Sequence, residues 1–408
     1  MRKILVFLCC VGALLISPQL WTQEEQCAST GPFDNATQYL GTRITLKILL
    51  VEFTDVPHRT VPVTYTKVDF ENMLVSQDIY VDPMRTPDND EVFGSLADYF
   101  RKMSWGNLQV EGHVVNNAVG GFPVWIGLYG PKLDYHHYRR DFLTDAITAA
   151  QAAGLDVSTS TYAKLAIVYA GNTYFQRLGL NPQAFGDVYI MGELQGRPPN
   201  QENPTDRFSR IGFHCHEFAH TVGIDHSSGS RADVMQAGMR NGPDNYGAAP
   251  APLCPVARDR KGWVTPTVIS GQQERPLHYY LETPEVFRIN SNYNNDYFLI
   301  ENRRFTKTMY IGSTEVPDYN NTAFFPPAWP HNTITQGVFV WRVIGGVPNS
   351  YENTGLIFAS GRNGFTWPEG IPSETDDGVP FPGVANMRVL SPWSDPRDPY
   401  APGNIYVP

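Results

Sequence analysis

The chain is poor in cysteine, with five in 408 residues. Cys9 and Cys10 sit in an apolar N-terminal run, which leaves Cys27, Cys215 and Cys254. Three thiols permit at most one intramolecular disulfide, so a small domain held by a disulfide framework is excluded. Excess positive charge is also missing. Lys and Arg number 31 against 41 Asp and Glu, a formal net charge of −10, and such a balance argues against nucleic acid as a partner. Long hydrophobic runs are absent beyond Ile4–Ile16, a thirteen-residue stretch behind Arg2 and Lys3. That run is too short for a membrane span of about 20 residues and fits a secretory signal. No internal repeat is present. No EF-hand spacing occurs either, so the acidic loops leave calcium open as a cofactor without pointing to it.

What is there describes a globular protein with a core. Hydrophobic residues make up 42% and charged residues 18%. Aromatics at 12%, with 35 Gly and 33 Pro, predict many strands and turns. We expect residues 1–22 to be a signal peptide, 23–43 a short leader, and the product to be secreted. "ITLKILLVEFTD" (44–55) reads as a central strand, and "SLADYFRKMSWG" as a helix ended by Gly106. "LQVEGHVV" reads as a strand and "YRRDFLTDAITAAQAAG" as an amphipathic helix closed by Gly154. "YAKLAIVYAG" and "DVYIMGE" (187–193) are further buried strands. This alternation suits a sheet with packed helices. Past Pro266 the runs are short and strand-like, split by turn residues, and a Pro-rich tail follows from Gly361. The domains are therefore drawn at 44–266 and 267–408.

The chemistry is concentrated in "GFHCHEFAHTVGIDHSSG", where His214, His216, His220 and His226 fall within thirteen residues. On a helix, His216 and His220 lie one turn apart on one face. Two such imidazoles can each give a ring nitrogen to one zinc ion. Glu217 then sits beside the metal rather than on it, where a carboxylate can take a proton from water. Gly223 can adopt the left-handed conformation that ends a helix, and the turn brings His226 back as a third ligand. His216, Glu217, His220, Gly223 and His226 spell H-E-x-x-H-x-x-G-x-x-H, the metzincin signature. His214, two residues before the first ligand, points elsewhere and reads as a polar residue at the helix start. Met235 follows in "RADVMQAG", and "APLCPVARDRKGWVTP" reads as a short helix broken before Gly262.

Together these segments resemble the immune inhibitor A family of secreted zinc metallopeptidases. The runs that carry the resemblance are "LKILLVEFTD", "SLADYFRKMSWGNLQVEG", "IGFHCHEFAHTVGI", "DVMQAG", "ARDRKGWVTP", "YFLIENRR" and "GVFVWRV", in the family's order across roughly 44–345. The resemblance implies an α+β fold: a metzincin-like catalytic domain, with a twisted mixed sheet and a zinc-binding helix, followed by a β-rich region. It implies His216 and His220 as ligands, Glu217 as catalytic base and Met235 as the methionine of a tight turn beneath the zinc. The family has an Asp at the third-ligand position. Here Ile224-Asp225-His226 stands there, so Asp225 and His226 both remain open, with His226 favoured by its spacing from Gly223. Some metzincins place a tyrosine two residues after the methionine, where this chain has Ala237. In metzincins an edge strand before the active helix borders the cleft, so peptide substrate is expected along residues 187–193.

The expected activity is a zinc-dependent endopeptidase acting on protein or peptide substrates. Two alternatives stand beside it: a protease-like binding module for glycans or matrix, and a zinc hydrolase of non-peptide substrates. Cys215 and Cys254 are the candidate disulfide pair, the first beside a ligand and the second after the methionine turn. Cys27 would then be the free thiol.

Overall fold

The computed structural model describes residues 41–173, 179–195, 206–227, 233–242 and 246–270, with residues 4–5 and shorter stretches between 274 and 357. Leader residues 23–40 with Cys27, the Pro-rich tail and all of the expected signal peptide but residues 4–5 lie outside the described residues. The fold is a mixed α+β one, with six α-helices among the described residues.

Along the chain run β1 (Thr42–Glu52), α1 (Lys67–Val75), α2 (Leu96–Met103), β2 (Leu108–Val114) and β3 (Ile126–Gly127). Then come α3 (Lys132–His136), α4 (Phe142–Ala152), β4 (Ala163–Asn172), β5 (Gln183–Phe185), β6 (Val188–Gln195) and β7 (Arg207–Phe208). The helix α5 (Ile211–Thr221) carries the histidines, and α6 (Pro255–Arg260) follows. The C-terminal strands are β8 (Thr267–Val268), β9 (Phe287–Asn290), β10 (Tyr297–Arg304), β11 (Gln336–Val343) and β12 (Thr354–Ile357).

The main sheet has the order β5-β6-β4-β1-β2, with β7 added to β6 and β3 to β1. Its central strands β6, β4, β1 and β2 are parallel, and β5 and β7 pair antiparallel to β6. Parallel strands are buried on both faces, so they read as continuous apolar runs rather than as alternation. In β1, Ile44, Leu46, Ile48 and Leu50 enter one core with the buried faces of α1, α2 and α5. Leu49 and Val51 enter the opposite core, against Phe142, Ala146 and Ala150 of α4. The apolar run "ILLV" is thus divided residue by residue between two layers.

Two features depart from the sequence reading. First, α1 lies where the sequence reading placed no element. A capping box starts it: the Thr66 hydroxyl accepts from Asp69 N, and the Asp69 carboxylate accepts from Thr66 N. Second, the strand read over 187–193 is not the sheet edge. The chain folds back at Gly186 and Asp187, with Phe185 opposite Val188, so β5 is the outer strand. Gly186 has φ +61°, a conformation that favours glycine and that two-residue hairpin loops require. β7 covers the other end of β6 at Leu194 and Gln195.

The C-terminal sheet has the order β8-β9-β10-β11-β12. It shares a core with the first region: Tyr280, Val286, Leu299, Phe339 and Trp341 pack in the same cluster as Val256, Ala257 and Met235. A buried ion pair joins the two regions, Arg258 of α6 to Glu301 of β10, and Glu301 also accepts from Trp341 Nε1 at 2.8 Å. Losing either ionic partner would strand a buried charge, at a cost of about 3–5 kcal/mol. No helix among the described residues is long and apolar enough to cross a membrane.

Candidate metal centre

Helix α5 is buried along almost its whole length, with His220 the partly open residue. His214 fixes its start from within the core. One ring nitrogen lies 3.2 Å from Tyr189 Oη of β6 and the other 3.2 Å from Ser209 Oγ. Burial pushes this imidazole down to about 3, so it is neutral. His214 does sit near the helix start, but as a buried tie to the sheet rather than a surface polar group.

The helix ends in a Schellman turn. Ile224 N donates to Ala219 O at 3.0 Å, and Gly223 N donates to His220 O at 2.9 Å. Gly223 takes φ +75°, which a residue with a Cβ adopts only at a cost. The same turn presents the Ile224 carbonyl to His220 Nδ1 at 2.8 Å. His216 Nδ1 lies 2.8 Å from the Val234 carbonyl, one residue before Met235. Each Nδ1 therefore carries the proton, as the acceptor opposite it requires, and each Nε2 is left with a bare lone pair.

These Nε2 atoms converge. His216 and His226 are 3.2 Å apart, His216 and His220 3.2 Å, and His220 and His226 3.3 Å. The triangle has a chemical meaning. Nitrogens bound at about 2.0 Å in tetrahedral directions lie about 3.3 Å from each other. Lone pairs of neutral imidazoles facing one another at this distance repel, and a shared cation turns that repulsion into binding. Burial lowers the His216 imidazole to about 3, with the neighbouring imidazoles adding to the effect, and it lowers His220 as well. Neutral rings are what metal ligation needs. The donor set, three imidazole nitrogens, fits a metal ion. Among the described residues it is the one group of three or more His, Cys, Asp and Glu whose donor atoms gather in this way. Asp225 is exposed and is not a member of it.

Glu217 follows His216 on α5 and is 5% exposed. Burial pushes its carboxyl up to about 8. Met235 is fully buried, in the core cluster that also holds Val222, Ile224 and Val234. The sequence predicts a Cys215–Cys254 disulfide, but in the structure both are buried free thiols. Cys215 lies near Tyr189, while Cys254 lies near the Asp233 carboxylate, which adds to burial in pushing its thiol up. The two side chains serve different neighbours, and nearness to one active helix does not supply the Cβ geometry a disulfide requires.

Asp233 and Ser227 were missed by the sequence reading. The Ser227 hydroxyl donates to Asp233 Oδ2 at 2.5 Å, and Met235 N donates to Asp233 Oδ1 at 3.1 Å. A signal was available. An Asp whose side chain accepts from the backbone N–H two residues on is an Asx turn, and Asp233-Val234-Met235 has that spacing.

No family model matches the chain, and no curated protein matches it. Among solved structures, it is similar to the crystal structure of wild-type OgpA from Akkermansia muciniphila. The two are 11% identical, over 76% of this chain and 91% of that one, with a TM-score of 0.30. A likeness that distant assigns neither fold nor activity, so the reading of function rests on the site.

Proposed function

We propose that the protein is a secreted zinc-dependent endopeptidase, with a metzincin-like catalytic domain over residues 44–266 and a β-rich region over 267–408. The observation that carries the proposal is the triangle of His216, His220 and His226 Nε2 atoms, with sides of 3.2–3.3 Å. Three imidazole ligands leave one tetrahedral position for water or substrate, the arrangement of a catalytic rather than a structural zinc site. The resemblance of the sequence segments to immune inhibitor A peptidases supports the same reading.

Zinc bound there would supply Lewis acidity toward a water molecule and a substrate carbonyl. The protein's own groups do the rest. Val234 and Ile224 carbonyls hold the His216 and His220 rings with Nε2 facing the site. Glu217 is the proton carrier. It accepts the proton that water loses as the water oxygen bonds to the scissile carbonyl carbon. It returns that proton to the amide nitrogen as the C–N bond breaks. Glu217, which burial alone would keep as the acid, would be held as the carboxylate by a dication bound at the three histidines. Substrate is proposed to lie extended along β5, the outer strand, against which α5 packs.

The test is metal analysis and digestion on one preparation. We expect one zinc per chain, cleavage of casein or gelatin, and loss of cleavage on chelation with recovery on adding zinc. Zinc without peptide cleavage would move the reading to a hydrolase of other substrates. Neither zinc nor cleavage would leave a binding module.

A further inference from the structure

We infer that Asp233 is a positioning residue for this metal centre, tying the loop of the third ligand to the turn beneath the first. The inference rests on the reading of His216, His220 and His226 as metal ligands. Asp233 is fully buried. A carboxylate only accepts hydrogen bonds, and its two oxygens can serve donors from different directions. Here they do. Oδ2 accepts from Ser227 Oγ at 2.5 Å, and Ser227 directly follows His226. Oδ1 accepts from Met235 N at 3.1 Å, which closes the methionine turn. The Cys254 thiol, at the N-cap of α6, lies near the same carboxylate, which adds to burial in pushing it up.

The backbone of Asp233 extends the link. Its carbonyl accepts from Gln236 N at 3.0 Å and Gly238 N at 3.1 Å, so the turn is wound around this residue. The next carbonyl in the chain, that of Val234, receives His216 Nδ1 at 2.8 Å. From one residue, then, a side chain reaches the position after His226 and the adjoining peptide reaches the ring of His216. The covalent path between His216 and His226 runs through the Schellman turn and the exposed Gly223. Asp233 supplies a second path through the core. A tetrahedral site tolerates only small errors in donor placement, and loss of groups that orient ligands typically lowers metal affinity 10–100-fold.

The experiment measures Zn2+ affinity of the full chain by competition with a chromophoric chelator, and the visible spectrum of the Co2+-substituted form. The variants are Ser227→Ala, Ser227→Thr and Asp233→Asn. Asparagine keeps an acceptor for Met235 N but turns an N–H2 toward Ser227. We expect Ser227→Ala and Asp233→Asn each to weaken Zn2+ binding about 10–100-fold and to shift the Co2+ bands. The double variant should be little worse than Asp233→Asn alone, because both act through one contact. Ser227→Thr keeps the hydroxyl and should restore wild-type affinity. A purely structural role would lower the unfolding midpoint and leave the affinity and spectrum of the folded chain unmoved. Variants that bind Zn2+ within twofold of a tightly binding wild type would overturn the inference alone. A wild type that binds no Zn2+ would overturn the metal reading and the inference with it.

Discussion

His216 Nδ1 lies 2.8 Å from the carbonyl oxygen of Val234. The bond joins the first histidine of the convergent cluster to a turn eighteen residues later in the chain. It sets which nitrogen of His216 is bare, and it places Met235 directly after the residue that does so. The methionine turn thereby takes part in orienting a candidate ligand.

The third ligand is the first point to test. His226 Nε2 is 3.2 Å from His216 Nε2, while Asp225 lies outside the convergent group. His226→Ala should reduce bound zinc to a small fraction of one per chain, and Asp225→Ala should leave it near wild type. Metal analysis after dialysis decides the matter, and the reverse order would make Asp225 the ligand.

Glu217 should separate binding from chemistry. Glu217 is not among the convergent donor atoms, so Glu217→Gln should keep zinc and lower kcat by about 10²–10⁴-fold, the usual worth of a general base. Zinc content and peptide cleavage are read on one sample. A variant that retains zinc and cleaves at the wild-type rate would remove Glu217 from the mechanism.

Gly223→Ala should destabilise the chain for two reasons. A non-glycine residue at φ +75° costs about 1–2 kcal/mol. In addition, the new Cβ would lie 3.1 Å from Lys261 Nζ, a tight contact for a buried lysine. Urea unfolding should report a lower midpoint with an unchanged slope. A midpoint equal to wild type would show that the turn relaxes without strain.

The outcome of the sequence reading follows from how local each signal is. The α5 motif was legible because its chemistry is fixed by intervals of three and four residues, which translate directly into one face of a helix and one turn. β1 and β4 were legible because burial on both faces leaves an unbroken apolar run. β5 was not: three residues, Gln183–Phe185, carry no pattern, and its position follows from the backbone freedom of Gly186. The pairing of Cys215 with Cys254 failed because proximity of segments says nothing about the direction of two Cβ bonds. Asp233 escaped because its importance comes from Ser227 and Cys254, residues six and twenty-one positions away in the sequence.

Stability should depend on pH through a group outside the histidine cluster. Glu193 of β6 is fully buried, and its carboxyl accepts from Gly171 N at 3.1 Å and from Arg59 N at 3.1 Å. Burial outweighs these donors and pushes the group up to about 7. In the unfolded chain a glutamate titrates near 4.3. Between those values the folded protein holds a proton that the unfolded chain has released. Stability from this group is therefore fully present below about 4.3 and is lost as pH rises to about 7. The loss amounts to about 4 kcal/mol across the window, at 1.36 kcal/mol per pH unit. His214 works in the opposite direction. Its buried imidazole is lowered to about 3, so its contribution grows as pH rises toward 6.5 and masks part of the Glu193 slope. The quantity to measure is thus a difference. Unfolding free energies of wild type and Glu193→Gln, taken by denaturant at several pH values from 4 to 8, share every other titrating group. Subtracting one curve from the other should leave a wild-type stability that declines relative to the variant between about 4.5 and 7 and is flat above. Parallel curves through that window would show that Glu193 is already ionised in the folded state, held so by its two backbone donors.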